Sequence, residues 1–207
     1  QPYTFSEGKI DLVPGEGGIG SGRAGGIKYT DYALSQLIKK AKKQPWFDDT
    51  VFVVVADHCA ASAGKIGLPV KKYHIPLFIY APKHIEAGEI DLLSSQIDIA
   101  PTLLSLLHFS YDNFFFGKNI LALDFNERAL IANYQKLGIL KNKVLLILSP
   151  RKEIGLINID SKKPSLQKVP PSYPFVKELM SYYQGADYVL KNRLNRWTDR
   201  ETDLAEN

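Results

Sequence analysis

The segment Thr50-Val51-Phe52-Val53-Val54-Val55-Ala56-Asp57-His58 decides the fold class of this 207-residue chain. Its uninterrupted run of β-branched and aromatic residues indicates a strand buried on both faces, which is typical of parallel sheets in α/β proteins. Such sheets bind their ligands just beyond the carboxyl ends of the strands. The neighbouring carboxylate and imidazole of Asp57 and His58 are therefore candidate ligands of a divalent metal ion. The alternative is that Asp57 caps a turn and His58 is a polar bystander.

Composition places the chain among ordinary globular proteins with a sizeable core. Hydrophobic residues make up 45% and charged residues 23%, with a formal net charge of +4. The lysines are scattered without interleaved aromatic residues, so we expect no nucleic-acid partner. A single cysteine, Cys59, excludes an internal disulfide framework, and no apolar stretch is long enough to span a bilayer. The sequence begins Gln1-Pro2-Tyr3 without an initiator methionine, and we expect it to be part of a longer protein.

Residue patterns predict two helices and a second strand in the first half of the chain, after a loop-like start. One helix begins at Thr30 or Asp31 and ends before Pro45. The second strand covers residues 75–81, and Asp98 caps the next helix. The first helix has apolar residues at the spacing of one helical face, namely Leu34, Leu37, Ile38 and Ala41.

The second half of the chain has a different pattern. Residues 128–135, 143–149 and 153–160 are predicted strands, close enough in sequence to pair antiparallel. A proline-rich linker over 164–174 precedes a final amphipathic helix. The apolar stripe of that helix, which we interpret as packing, comprises Val176, Leu179, Tyr183, Ala186, Leu190, Leu194 and Trp197.

Other candidate sites give weaker signals. Residues 20–25 match G-x-G-x-x-G, but no convincing strand precedes them, so we interpret them as a flexible loop. Lys65, Lys71 and Lys72 are the cations best placed to meet an anionic oxygen near the metal. His74 immediately precedes the second strand. In a parallel sheet it would lie at the end opposite Asp57 unless the intervening loop folds back, so a structural role for His74 stays open.

Four segments in a fixed order resemble the sulfatase-like branch of the alkaline phosphatase superfamily. They cover residues 28–34, 49–58, 73–82 and 95–104. Within that branch the chain is most similar to the lipoteichoic acid synthase type, which transfers phosphoglycerol between lipid-linked groups. Residues 115–121 and 133–138 also fit that type.

The resemblance implies an α/β, alkaline-phosphatase-like fold: an incomplete, mainly parallel central sheet flanked by helices, a small C-terminal antiparallel sheet and a terminal helix. We expect the catalytic-domain part at 1–122, a small antiparallel region at 123–163, and a linker with the terminal helix at 164–207. Asp57 and His58 would bind the catalytic divalent ion, which could be Mn, Mg or Zn. His74 would contact the transferred phosphate or a second metal ion.

The implied function is a metal-dependent phosphoglycerol- or phosphoethanolamine-type transferase. It would act on phospholipid head groups and lipid-linked or glycan acceptors at the periplasmic or extracellular face of the cytoplasmic membrane, anchored by segments outside this chain. The family nucleophile lies upstream of these motifs, so we expect the fragment to be inactive alone. We also expect it to self-associate, because an incomplete sheet exposes an edge. The alternatives are a sulfatase or phosphodiesterase-type hydrolase and a non-catalytic binding module.

Overall fold

The computed structural model describes residues 5–12, 22–59 and 67–195. The chain divides into two compact units, one formed by residues 1–55 and 77–88 and the other by residues 56–76 and 89–207. The three regions expected from the sequence stay a prediction. Within the described residues, no helix is long and apolar enough to cross a membrane.

Helix α1 (Arg23–Ala41) of the first unit begins earlier than predicted. A start at Thr30 or Asp31 is wrong, because the Thr30 hydroxyl donates to the carbonyl oxygen of Gly26 at 2.9 Å, one turn back within the same helix. The loop interpretation of residues 20–25 is also wrong from Arg23 onward, and residues 20 and 21 lie outside the described part of the chain.

The strands β1 (Phe52–Val55) and β2 (Leu77–Tyr80) pair antiparallel, with Val55 opposite Leu77. A parallel relation between these two strands is therefore wrong. The apolar run around β1 contained no information on strand direction. The expected burial of this strand on both faces is also wrong, because no residue of β1 is buried and Val55 is 37% exposed. Beyond the paired strands, the Ala56 N–H donates to the carbonyl oxygen of Pro76 at 3.4 Å. The chain thus leaves β1 and enters β2 at the same end of the pair.

The second unit contains a five-stranded antiparallel sheet in sequential order. The predicted antiparallel pairing of the C-terminal strands is confirmed. The prediction missed one strand between the first two and a short strand in the proline-rich linker. The strands are β3 (Ala129–Ala132), β4 (Leu137–Lys141), β5 (Val144–Ser149), β6 (Glu153–Asn158) and β7 (Gln167–Lys168).

Both faces of this sheet are buried. Leu145 and Ile147 of β5 pack on one face with Leu68, while Leu146 packs on the other face against helix α3 (Val176–Lys191). In α3 the predicted packing stripe is confirmed for its first turns, since Val176 and Leu179 are buried. The prediction of packing is wrong for the end of the stripe, because Leu190 is 63% exposed and Leu194 is 52% exposed. Trp197 lies outside the described residues.

A buried ion pair joins the start of helix α2 (Ile99–Leu106) to the sheet. Asp98 occupies the N-cap position of α2 as predicted, but its side chain forms no capping hydrogen bond with that helix. It accepts the Ser95 N–H at 2.8 Å, in the capping box of the preceding 3₁₀ turn Gln96–Asp98. Its two carboxylate oxygens also accept from the guanidinium of Arg128 at 2.7 and 2.8 Å. Arg128 Nε donates to the Tyr182 hydroxyl at 2.8 Å. Burial lowers the pKa of Arg128, but the hydrogen bonds with Asp98 and Tyr182 outweigh it and raise that pKa, so the guanidinium stays charged.

Gly117 lies against the same junction. A Cβ atom at this position would overlap the backbone carbonyl of Ile97. The next residue, Lys118, donates its backbone N–H to the Asp98 carboxylate at 2.7 Å. Only glycine allows residues 117 and 118 to approach the helix start closely enough for this bond.

Candidate metal site

Asp57 and His58 follow β1 directly and their side chains converge. The Asp57 carboxylate accepts the His58 backbone N–H through Oδ1 at 2.8 Å. Its other oxygen, Oδ2, lies 3.3 Å from His58 Nε2. The second ring nitrogen, Nδ1, lies 2.9 Å from the carbonyl oxygen of Cys59. Both side chains are exposed, with 86% of Asp57 and 59% of His58 accessible, so a ligand can reach them.

The hydrogen bonds of His58 decide its tautomer. The Cys59 carbonyl can only accept, so Nδ1 carries a proton and donates it. In the neutral ring Nε2 then keeps its lone pair, 3.3 Å from Asp57 Oδ2. Metal-bound histidines are commonly oriented by this kind of backbone contact. The contact uses the main-chain carbonyl of Cys59.

The donor pair fits one divalent ion. Histidine nitrogen and carboxylate oxygen bind Zn²⁺ at about 2.0–2.2 Å, and two such ligands at a tetrahedral or octahedral angle lie about 3.0–3.5 Å apart. The observed separation of 3.3 Å between Asp57 Oδ2 and His58 Nε2 lies in that range. When His58 is protonated, the same geometry serves as an ion pair. In the described ranges no three histidine, cysteine or acidic side chains cluster as a metal site, so among these residues the candidate site consists of Asp57 and His58 alone.

His74 lies near the same end of the strand pair as Asp57 and His58. The antiparallel pairing produces this arrangement, because the bond between Ala56 and Pro76 closes the base of the loop that connects them. In a parallel sheet His74 would have been at the end opposite Asp57, but the strands are antiparallel. His74 is exposed and follows the short 3₁₀ turn Val70–Lys72, which contains Lys71 and Lys72.

Two further residues fix the backbone around the site. Gln96 donates from Nε2 to the carbonyl oxygen of Ala56 at 3.0 Å, directly before Asp57. The Cys59 thiol donates to the carbonyl of Lys72. Sequence reasoning missed Gln96, although it lies in one of the segments that carry the family resemblance. Lys65 lies outside the described residues.

Comparison with known proteins supports this architecture. Residues 20–109 match the sulfatase family, a region that includes Asp57, His58 and His74. The crystal structure of a protein in the alkaline phosphatase superfamily from Vibrio parahaemolyticus superposes with a TM-score of 0.82 at 30% identity, covering 96% of this chain and 48% of that one. The chain has part of the alkaline phosphatase superfamily fold. The expected α/β class is thereby confirmed.

More distant structures share the fold alone. Ps i-CgsB superposes with a TM-score of 0.60 at 19% identity, over 89% of this chain and 47% of that one. Its complex with k-i-k-neocarrahexaose gives a TM-score of 0.54 at 20% identity, over 88% and 46%. In all three comparisons the chain spans about half the length of the solved structure.

Proposed function

We propose that this chain is part of a metal-dependent enzyme that transfers or hydrolyses phosphate or sulfate esters, with Asp57 and His58 as two of its metal ligands. The observation that supports this most directly is the 3.3 Å approach of Asp57 Oδ2 and His58 Nε2 at the end of β1. The remaining ligands and the nucleophile belong, in this proposal, to the half of the fold that the chain does not span.

Each residue has a defined role in the proposal. Asp57 supplies a hard anionic oxygen, and its second oxygen is held by the His58 N–H. His58 supplies a nitrogen whose direction is fixed by Cys59. His74, near the same end of the strand pair, contacts the ester anion or a second ion. A bound divalent ion supplies charge neutralisation at the ester and lowers the pKa of the attacking hydroxyl.

The more specific proposal is a phosphoglycerol- or phosphoethanolamine-type transferase. Its support is the order of the sequence segments around residues 28–34, 49–58, 73–82 and 95–104. A phospholipid head group would be the donor and a lipid-linked or glycan hydroxyl the acceptor, at the outer face of the cytoplasmic membrane. The catalytic ion would be Mn, Mg or Zn.

Replacing Asp57 by alanine tests the metal site. We expect Mn²⁺ affinity of the chain, measured by titration with electron paramagnetic resonance, to fall at least tenfold, about 1.4 kcal/mol. His58→Ala should have a similar effect, because each variant removes one of the two ligands. Asp91→Ala is the matched control, since Asp91 is another exposed aspartate, outside the proposed site. Equal affinity of Asp57→Ala and the native chain would refute the assignment.

A sulfatase-type hydrolase is the second candidate, favoured by the family match over residues 20–109. Activity of the complete enzyme on p-nitrophenyl sulfate, on bis-p-nitrophenyl phosphate and on phosphatidylglycerol with a glycan acceptor separates the two. Transfer of phosphoglycerol supports the transferase, whereas sulfate release without transfer supports the hydrolase. A chain that binds the ion and whose complete form turns over none of these substrates is a binding module.

We also propose that the isolated chain self-associates through the apolar surface of its first unit. Ile27 and Leu37 of α1 are 64% and 54% exposed, and Phe78 of β2 is 63% exposed. Exposed apolar groups of this size drive association. We expect light scattering to show species heavier than the 23.2 kDa monomer, and Leu37→Lys to reduce them. A monomer at all concentrations would contradict this.

A further inference from the structure

An open groove lies beside the first turns of α3, with residues 115–118 forming its other wall. Its volume is about 700 Å³, and it is largely open to solvent. It includes none of the residues of the candidate metal site. We propose that this groove binds an anionic sugar chain, that is, a carbohydrate carrying phosphate or sulfate esters.

The charge of the groove is positive. Lys118 and Lys177 line it, and neither side chain forms an ion pair with another described residue. Glu178 is the one carboxylate among the described lining residues, and both of its oxygens bind Lys141 Nζ, at 2.9 and 3.1 Å. Lys141 therefore neutralises the charge of the Glu178 carboxylate. Two ammonium groups remain available for ester anions.

Aromatic rings form the walls, and contacts behind them hold two of these rings in place. The Tyr182 hydroxyl accepts from Arg128 Nε at 2.8 Å. Phe116 lies against α3 at Gly185, where its Cε1 would be 3.6 Å from an added Cβ. Sugar rings present C–H groups that pack on aromatic faces while their substituents point outward. Walls already held in place bind such a ligand with less loss of side-chain entropy.

The backbone at Phe175 supports the same conclusion. Phe175 precedes α3 with a φ of 74°, a left-handed conformation that is unfavourable for a non-glycine residue. Its ring lies 5.2 Å from Lys141 Nζ, and it also lines the groove. The unfavourable conformation places an aromatic face on the groove wall beside the neutralised pair of Lys141 and Glu178.

A second cavity adjoins the first and gives room for more than one sugar unit. This cavity, of about 270 Å³, shares Lys118, Glu178 and Tyr182 with the first and extends it to Asp124 and Asn126. Asn126 adds an amide that can donate to or accept from sugar hydroxyls. Asp124 brings a carboxylate to the second cavity, so we assign the ester anions to Lys118 and Lys177 in the first.

Fluorescence anisotropy with labelled dextran oligosaccharides of one length tests the proposal on the 207-residue chain. We expect sulfated or phosphorylated dextran to bind and uncharged dextran not to bind; the tighter of the two charged probes identifies the ester. The double variant Lys118→Ala/Lys177→Ala should weaken binding at least tenfold. Phe115→Ala, which removes an exposed ring from the wall, should weaken it at least threefold.

The control is Lys162→Ala/Lys163→Ala, which removes the same charge from exposed lysines outside the groove. It should keep native affinity. Equal loss in this control would show general charge attraction and overturn the proposal. Inorganic polyphosphate that binds as tightly as the charged dextrans, with no effect of Phe115→Ala, would also overturn it, as would failure of both charged dextrans to bind. Mn²⁺ affinity at Asp57 is measured separately, so either proposal can fail alone.

Discussion

Replacing Asp98 by alanine is expected to lower the free energy of unfolding by about 3–5 kcal/mol, the range for breaking one side of a buried ion pair. The variant leaves the guanidinium of Arg128, 2% exposed, with Tyr182 as its remaining side-chain acceptor. It also removes the acceptor of the backbone N–H groups of Ser95 and Lys118. Urea denaturation followed by circular dichroism measures the loss.

Two companion variants show whether the effect comes from the uncompensated charge. Asp98→Ala/Arg128→Met removes both charges, so it should lose less stability than Asp98→Ala alone. Asp187→Ala breaks the exposed pair with Lys191 and should cost about 0.3–0.5 kcal/mol. If Asp98→Ala were no more destabilising than Asp187→Ala, the buried pair would not stabilise the second unit.

Leu179→Ala is the other change with a large expected effect, about 2–5 kcal/mol of unfolding free energy. Leu179 is fully buried between α3 and the sheet, in contact with the cluster of Ile139, Leu146 and Val176. Truncation removes apolar contacts and leaves a cavity that the sheet cannot fill. The same urea titration measures this loss.

Leu190→Ala provides the comparison within the same helix. Leu190 is 63% exposed, so its truncation should change stability by no more than about 0.5 kcal/mol. The pair therefore separates packing from helix propensity, because both variants replace leucine by alanine within α3. Similar losses in the two variants would contradict the packing of α3 on the sheet through Leu179.

Local sequence patterns predicted the elements of the fold better than their pairing. The first turns of α3 are buried as their periodicity predicted, whereas the apolar run before Asp57 forms a strand that is only partly buried. The missed strand β4 contains Gly138, which weakens a strand pattern; in the fold an added Cβ there would lie 2.8 Å from Leu68. The antiparallel pairing of β1 with β2 depends on tertiary contacts, and residue composition does not encode strand direction.

In the candidate site, too, local sequence predicted some residues and tertiary contacts determined the others. Asp57 and His58 are adjacent in sequence, so a strand followed by a carboxylate and an imidazole was enough to select them. Gln96 lies 40 residues from Ala56, to which it donates, and no spacing rule predicts such a contact. The position of His74 at the same end of the strand pair as Asp57 likewise depended on knowing the direction of β2.

The burial of β5 on both faces also matters before the sheet forms. Residues 144–148 are five successive aliphatic residues, a composition prone to intermolecular β-pairing while a chain is unfolded. Lys143 precedes this segment, and Arg151 and Lys152 follow it, each at a positive φ in a turn. Cations beside an aggregation-prone strand act as gatekeepers. We therefore expect these turn residues to disfavour intermolecular pairing of the unfolded segment, although each adopts an unfavourable backbone conformation in the folded protein.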